Sequence, residues 1–295
     1  MAVHEPVMTR EVLEFLAPQN GGVFVDCTVG PGGHAKAMLE SGATRVIALD
    51  RDPAALALAA RTLGAWCDRV VLVHSDYRAI ETVLDERGIE RIDGALADLG
   101  VSSFQLDTEG RGFSFQRDDP LDMRMDTTVG PKAADLLRDA PESDIADVIY
   151  RYGEERFSRR IARSIVHARR QAPLQTTSEL AALVRSVIPR RGFSRIDPAT
   201  RTFQALRIWV NQELEHLDEF LAAVARRLRS GARMAVITFH SLEDRIVKHT
   251  MRALAKQDDA HIRVLTKKPV IPQPDEIERN PRARSAKLRV AERIA

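Results

Sequence analysis

Cysteine is scarce in this chain of 295 residues: Cys27 and Cys67 are the only two. That is too few for a secreted disulfide framework, and no C-x-x-C pair or His/Cys cluster has zinc spacing, so no metal is expected. A reducing cytoplasm is the simplest home. Long apolar runs are also missing, none approaching the roughly 20 residues of a membrane span. The N-terminal stretch turns polar at His4 and Glu5, so neither signal peptide nor anchor is expected. No G-x-x-x-x-G-K-[S/T] occurs, which argues against a nucleoside triphosphatase. No Ser-His-Asp or Cys-His arrangement suggests itself, and neither cysteine lies in a Pro-Cys context suited to attack on a pyrimidine ring. An overall excess of one charge is absent too, the net being +2.

The charge that is present is uneven. Residues 109–150 hold ten acids and five bases, whereas Arg151 to Arg207 holds thirteen arginines against four acids, a local excess of +9. Apart from His167, every basic residue in that block is Arg, whose planar fork suits bidentate phosphate contacts and base stacking. A solvated helix face is the competing reading.

The order of patterns predicts an α/β fold. A short helix (Thr9 to Leu16) precedes the strand Val23–Asp26 and the helix Gly33–Ser41, closed by Gly42. Then follow the strand Arg45–Asp50, a helix from Pro53 to Gly64, the strand Val70–His74, a helix Tyr77–Arg87 and the strand Ile92–Leu99. Such alternation implies parallel strands with right-handed crossovers. Between Thr108 and Val210 the pattern becomes helical (Ala133–Leu137, Ser143–Tyr150, Glu155–Arg169, Thr177–Val187), which reads as an all-helical insertion. Alternation resumes with a long amphipathic helix from Gln212 to Arg229, a stop at Gly231, the strand Met234–Phe239 and a helix Leu242–Ala255. Two β-rich stretches, His261–Thr266 and Ala286–Ala291, suit an edge hairpin, giving a doubly wound sheet of about seven strands whose last is antiparallel. The expected domains are 1–107 with 211–295, and an inserted 108–210.

The strand Val23–Asp26 runs into Thr28-Val29-Gly30-Pro31-Gly32-Gly33-His34, a glycine turn that opens a helix and brings bare backbone N–H groups toward a ligand. Sixteen residues past His34, Asp50 ends the next strand, where a carboxylate can accept from a ribose. The turn lacks the G-x-G-x-x-G of dehydrogenases and fits a nucleoside without a diphosphate better, so S-adenosylmethionine is favoured over NAD. Asp76 is expected to cap a helix, with Tyr77 against an adenine. Asp98, an acid closing an apolar strand, faces the place where chemistry occurs. Ser241 with Asp244 reads as a capping box, which leaves His240 open as general base, phosphate contact or satisfied residue.

Taken in order, His4-Glu5-Pro6-Val7-Met8, the glycine turn, Asp98-Leu99-Gly100-Val101-Ser102-Ser103, Arg111-Gly112-Phe113-Ser114-Phe115, Leu121-Asp122-Met123-Arg124-Met125-Asp126, Arg201-Thr202-Phe203-Gln204-Ala205-Leu206-Arg207, Thr238-Phe239-His240-Ser241-Leu242-Glu243-Asp244-Arg245 and Asn280-Pro281-Arg282 resemble the ribosomal RNA small-subunit methyltransferase H (MraW-type) family. The motifs cover nearly the whole chain.

The resemblance implies a class I S-adenosylmethionine-dependent methyltransferase, Rossmann-like with an inserted helical domain, that methylates N4 of a cytidine in the decoding region of 16S rRNA. It implies cofactor contacts at Gly32, Gly33, His34, Asp50, Tyr77, Asp98 and Gln105, and Phe104 stands where the family usually has proline. The small ribosomal subunit is the expected partner, and a homodimer stays open. Asp98 is expected to orient the amine or the cofactor, with Ser102 and His240 as helpers. RNA recognition is expected from Arg156, Arg159, Arg160, Arg163, Arg191, Arg195 and Arg201, with Phe113 or Phe115 stacking on a splayed base. A DNA amino-methyltransferase and a non-catalytic RNA-binding protein with a vestigial pocket are the alternatives.

Overall fold

The computed structural model describes residues 6–189, 197–257 and 261–294. Its strands are β1 Val23–Asp26, β2 Arg45–Asp50, β3 Val70–His74, β4 Ile92–Asp98, β5 Leu228–Thr238, β6 Ile262–Val264 and β7 Lys287–Arg293. They form one seven-stranded sheet in the order β3-β2-β1-β4-β5-β7-β6. The pairs from β3 through β5 are parallel, and β7 runs antiparallel to both of its neighbours. This is the expected doubly wound sheet with an antiparallel last strand.

The α-helices are α1 (Thr9–Leu16), α2 (Gly33–Ser41), α3 (Pro53–Thr62), α4 (Ile80–Asp85), α5 (Ser103–Asp107), α6 (Ala133–Asp139), α7 (Glu142–Gly153), α8 (Ser158–Arg169), α9 (Thr177–Val187), α10 (Ala199–Asn211), α11 (Leu217–Arg227), α12 (Ser241–Leu254) and α13 (Pro274–Arg279). The strands read as unbroken apolar runs because both faces of the sheet are covered. Alternate residues then enter opposite cores. Val25, Ile47 and Leu49 pack with Phe220, Leu221 and Val247 on one face, and Phe24, Val46 and Ala48 with Val12, Met38 and Leu39 on the other.

The chain divides into two compact units, Met1–Gly100 with Leu214–Ala295, and Val101–Glu213. The second has its own core, in which Ile145, Ile149, Ile161, Ile165, Leu180, Val184 and Leu206 are buried. The sequence places the boundaries at 107/108 and 210/211 instead, a few residues inside the second unit. Among the described residues, no helix is long and apolar enough to cross a membrane.

Two expectations need correction. The helix from Gln212 to Arg229 does not form as one element: α10 ends at Asn211, Gln212 and His216 take left-handed backbone (φ 50° and 57°), and only Leu217–Arg227 is helical again. Gly231 is no stop; it lies within β5 at φ 78°, where the register against β4 shifts between Ile92 and Gly94. A glycine at positive φ there accommodates an irregularity in a continuing strand.

Candidate active site

The chain builds β1, β2 and β3 outward in one direction, then places β4 on the other side of β1. The crevice beyond the carboxyl ends of β1 and β4 is therefore the topological switch point, where open α/β sheets bind ligands. Asp26 ends β1 and Asp98 ends β4. The Asp98 N–H donates to the Thr28 hydroxyl at 2.7 Å, tying the β4 end to the turn after β1. His34, in the first turn of α2, brings Nε2 to 3.7 Å from Asp98 Oδ2.

Asp26 is 1% exposed and His34 6%. Among the described residues, Asp26 Oδ2, both His34 ring nitrogens and Asp98 Oδ1 have no hydrogen-bond partner. A buried polar group left without a partner costs on the order of kilocalories, a cost that a ligand completing these groups would offset. Burial pushes the Asp26 carboxyl up to about 7, opposed by His34 and the Thr28 N–H. Burial works against a charged His34, yet Asp98 and then Asp26 raise its pKa above the ordinary imidazole value.

The glycines of the turn also answer a packing constraint. A Cβ on Gly32, whose φ is 96°, would press on Leu63 at 3.2 Å and Ala59 at 3.4 Å, and one on Gly33 would meet Pro6 at 2.9 Å. The missing side chains thus let α2 pack closely on α3 and on the chain before α1. Gly30 N–H donates to Asp50 Oδ2 at 2.7 Å, and Asp52 N–H to Asp50 Oδ1 at 2.8 Å. Asp50 braces the turn with both oxygens, each keeping a second lone pair for a ligand hydroxyl. Burial pushes its carboxyl up to about 6 against those two N–H groups.

Asp76 caps as expected, accepting from the Arg78 N–H at 2.9 Å and from its guanidinium at 2.8 Å, with Arg51 3.6 Å away. Burial works against its ionisation, but Arg78 and Arg51 hold it below the usual range. The Tyr77 ring lies 4.6 Å from that of Phe220, tilted by 54°. Ser102 and Gln105 are joined in a reciprocal capping box at the start of α5: Gln105 N–H donates to Ser102 Oγ, and Ser102 N–H to Gln105 Oε1. Phe104 is the second residue of α5, a position that does not require proline.

Ser241 is not the cap of α12. His240 is: its extended backbone (φ −139°, ψ 166°) sets Nδ1 to accept from Glu243 N–H at 3.4 Å, and Nε2 lies 3.1 Å from Glu243 Oε1. The Glu243 carboxylate in turn accepts from Phe239 N–H at 2.9 Å, and Asp244 is committed to Arg289. A histidine followed three residues later by glutamate is the signal that composition alone hid.

In the second unit Phe113 is buried in the core, so it is not presented to stack on a base. Phe115 turns edge-on to Phe203 at 4.8 Å. Arg156, Arg159, Arg160 and Arg163 are exposed. Arg201 donates to the Glu154 carbonyl and lies 3.9 Å from Glu155. Arg191 and Arg195 lie outside the described residues.

Residues 1–294 match the MraW methylase family. A ribosomal RNA small subunit methyltransferase H from Sorangium cellulosum is 51% identical over 292 residues, covering 99% of this chain and 91% of that protein. Proteins of the same name from Paramagnetospirillum magneticum and Geotalea uraniireducens are each 48% identical over 307 residues, covering 99% of this chain and 96% and 98% of theirs. With the match running from end to end, the chain belongs to the MraW methylase family.

Proposed function

We propose that this protein is a cytoplasmic enzyme that transfers the methyl group of S-adenosylmethionine to N4 of a cytidine in the decoding region of 16S rRNA. The observation that carries the reading is the meeting of buried Asp26 and His34 with half-buried Asp98, atoms of each lacking a hydrogen-bond partner among the described residues, at the switch point of a sheet belonging to a methylase family. The cofactor supplies a sulfonium methyl that is already activated. What remains for the protein is orientation and the handling of the amine. The lone pair of the exocyclic cytosine nitrogen is delocalised into the ring, so the amine needs an acceptor near its N–H. Asp98 offers one in Oδ1, while His34 stands beside its other oxygen. Gly32, Gly33, His34 and Asp50 frame the cofactor. Ser102 and His240, both engaged as helix caps, serve by shaping their loops. The arginine-rich second unit supplies the RNA surface.

Mass-spectrometric mapping of 16S rRNA from a strain lacking the gene tests the reading: the decoding-region cytidine should lose its N4 methyl and regain it on complementation. Asp98→Asn should lower turnover by about 10²-fold or more, the usual scale for removing a proton-handling group. Full turnover with merely weaker cofactor binding by titration calorimetry would remove the acceptor role.

A further inference from the structure

We infer that one face of α8 is a track for the sugar–phosphate backbone of RNA, formed by Arg156, Arg160, Arg163, His167 and Arg170. The inference rests on the reading of this protein as an RNA-modifying enzyme, and it adds two residues to the arginines that composition singles out.

Helical periodicity selects these five. Ser158, Ile161, Ala162, Ile165 and Val166 form the buried face of α8. At about 100° per residue, Arg160, Arg163, His167 and Arg170, together with Arg156 in the turn that leads into the helix, fall within an arc of about 80° on the opposite side. All five are exposed. They recur every three or four residues, so the row runs about 21 Å along the axis.

A solvated helix face would look different. Such faces place opposite charges three or four residues apart, where each pair stabilises the helix. From Ser158 to Arg170 there is no acid at all, and the neighbours along the row are like-charged arginines or a histidine. The first turn carries Arg159 and Arg160 and no acid, against the preference of a helix N-terminus for negative charge. The first turn is thus disfavoured by its own charges, while His167 and Arg169 suit the last turn, and an uncompensated basic start is the pattern expected where a polyanion is the partner. Glu142 Oε1 lies 3.7 Å from Arg163 Nε, and the Arg163 side chain stays 77% exposed. Arg156 and Arg160 lie over the Phe157 ring at 4.9 and 5.7 Å, which limits their side-chain freedom before any RNA arrives. Arg169, one residue from the row, is spent differently: it donates to the carbonyls of Leu137 and Ala140 and secures the end of α6.

The test is the salt dependence of binding to a uridine homopolymer, which offers phosphates and no sequence. Each phosphate contact on single strands contributes about 0.7 to the slope of log K against log salt. Replacing Arg156, Arg160, Arg163 and Arg170 together by Gln should flatten the slope by about 3, with a melting temperature no lower than that of the parent. His167→Lys should steepen it by about 0.7, a gain that no loss of folding can imitate. Arg138→Gln, in the same unit but paired with Asp135 and Asp139, should leave it unchanged. An unaltered slope in the quadruple variant, or an Arg138→Gln effect as large as that of a row residue, overturns the track. If the parent methylates no cytidine in 16S rRNA yet the slopes respond, the methyl-transfer reading falls and the track stands. If it methylates and the slopes do not respond, the reverse holds.

Discussion

Asp26 shows how far a single side chain can depart from its type. Its carboxyl is 1% exposed, one oxygen accepts from Thr28 N–H, the other has no partner among the described residues, and burial lifts its pKa from 3.8 to about 7. The ligand-free fold therefore holds a proton on Asp26 that the unfolded chain releases above pH 4. Where the native state binds more protons than the unfolded one, stability falls with rising pH. The loss here runs from about pH 4 to about pH 7 and then levels off. Asp26→Asn, which keeps the acceptor for Thr28, should remove this slope. Thermal melts of the ligand-free variant should match the parent near pH 4 and exceed it at pH 8 by a difference on the order of a few kcal/mol. A parent whose stability is flat across that range would show that Asp26 ionises normally. Asp50 and Asp98 were legible in the sequence as acids that close apolar strands. The protonation of Asp26 was not, because it depends on which atoms surround the carboxylate and on how little water reaches it.

At the scale of elements, the β1–turn–α2 segment is the part of the site most fully written in local sequence. The bounds Val23–Asp26, Gly33–Ser41, Arg45–Asp50 and Val70–His74 read from apolar runs and glycine punctuation are those observed. What composition did not reveal is why the turn needs its glycines. Gly32 combines φ 96° with close contact to Leu63 and Ala59, so Gly32→Ala meets both backbone strain and crowding. It should cost on the order of 1–3 kcal/mol in chemical denaturation and weaken S-adenosylmethionine binding as the start of α2 shifts. A neutral substitution would mean that α3 moves away freely. The helix ends misled for a related reason. The amphipathic pattern runs through Gln212 and His216 without a break, but left-handed backbone at both residues interrupts the helix, and neither is a glycine that would announce it. Serine is the common choice for a cap, but at α12 a histidine in extended backbone accepts from the Glu243 N–H instead.

At the scale of the whole molecule, two units with separate cores share one chain that leaves the sheet after β4 and returns before α11. A ligand that binds only one folded unit stabilises that unit by mass action. Hydrogen exchange with saturating S-adenosylmethionine should therefore slow the core amides of β1, β4 and α2 and leave those of α7, α8 and α10 near their ligand-free rates. Equal slowing in both units would mean that they open together. The sequence by itself determined the strand–helix alternation, the helical insertion, the acids at strand ends and the family, because period, punctuation and motif order are local properties of the chain. Only the tertiary structure decided which polar groups meet beyond the ends of β1 and β4, that Phe113 belongs to a core, and that Arg169 is spent on the end of α6 while Arg163 and Arg170 stay exposed. Burial and proximity between residues far apart in sequence are consequences of packing, and no local pattern carries them.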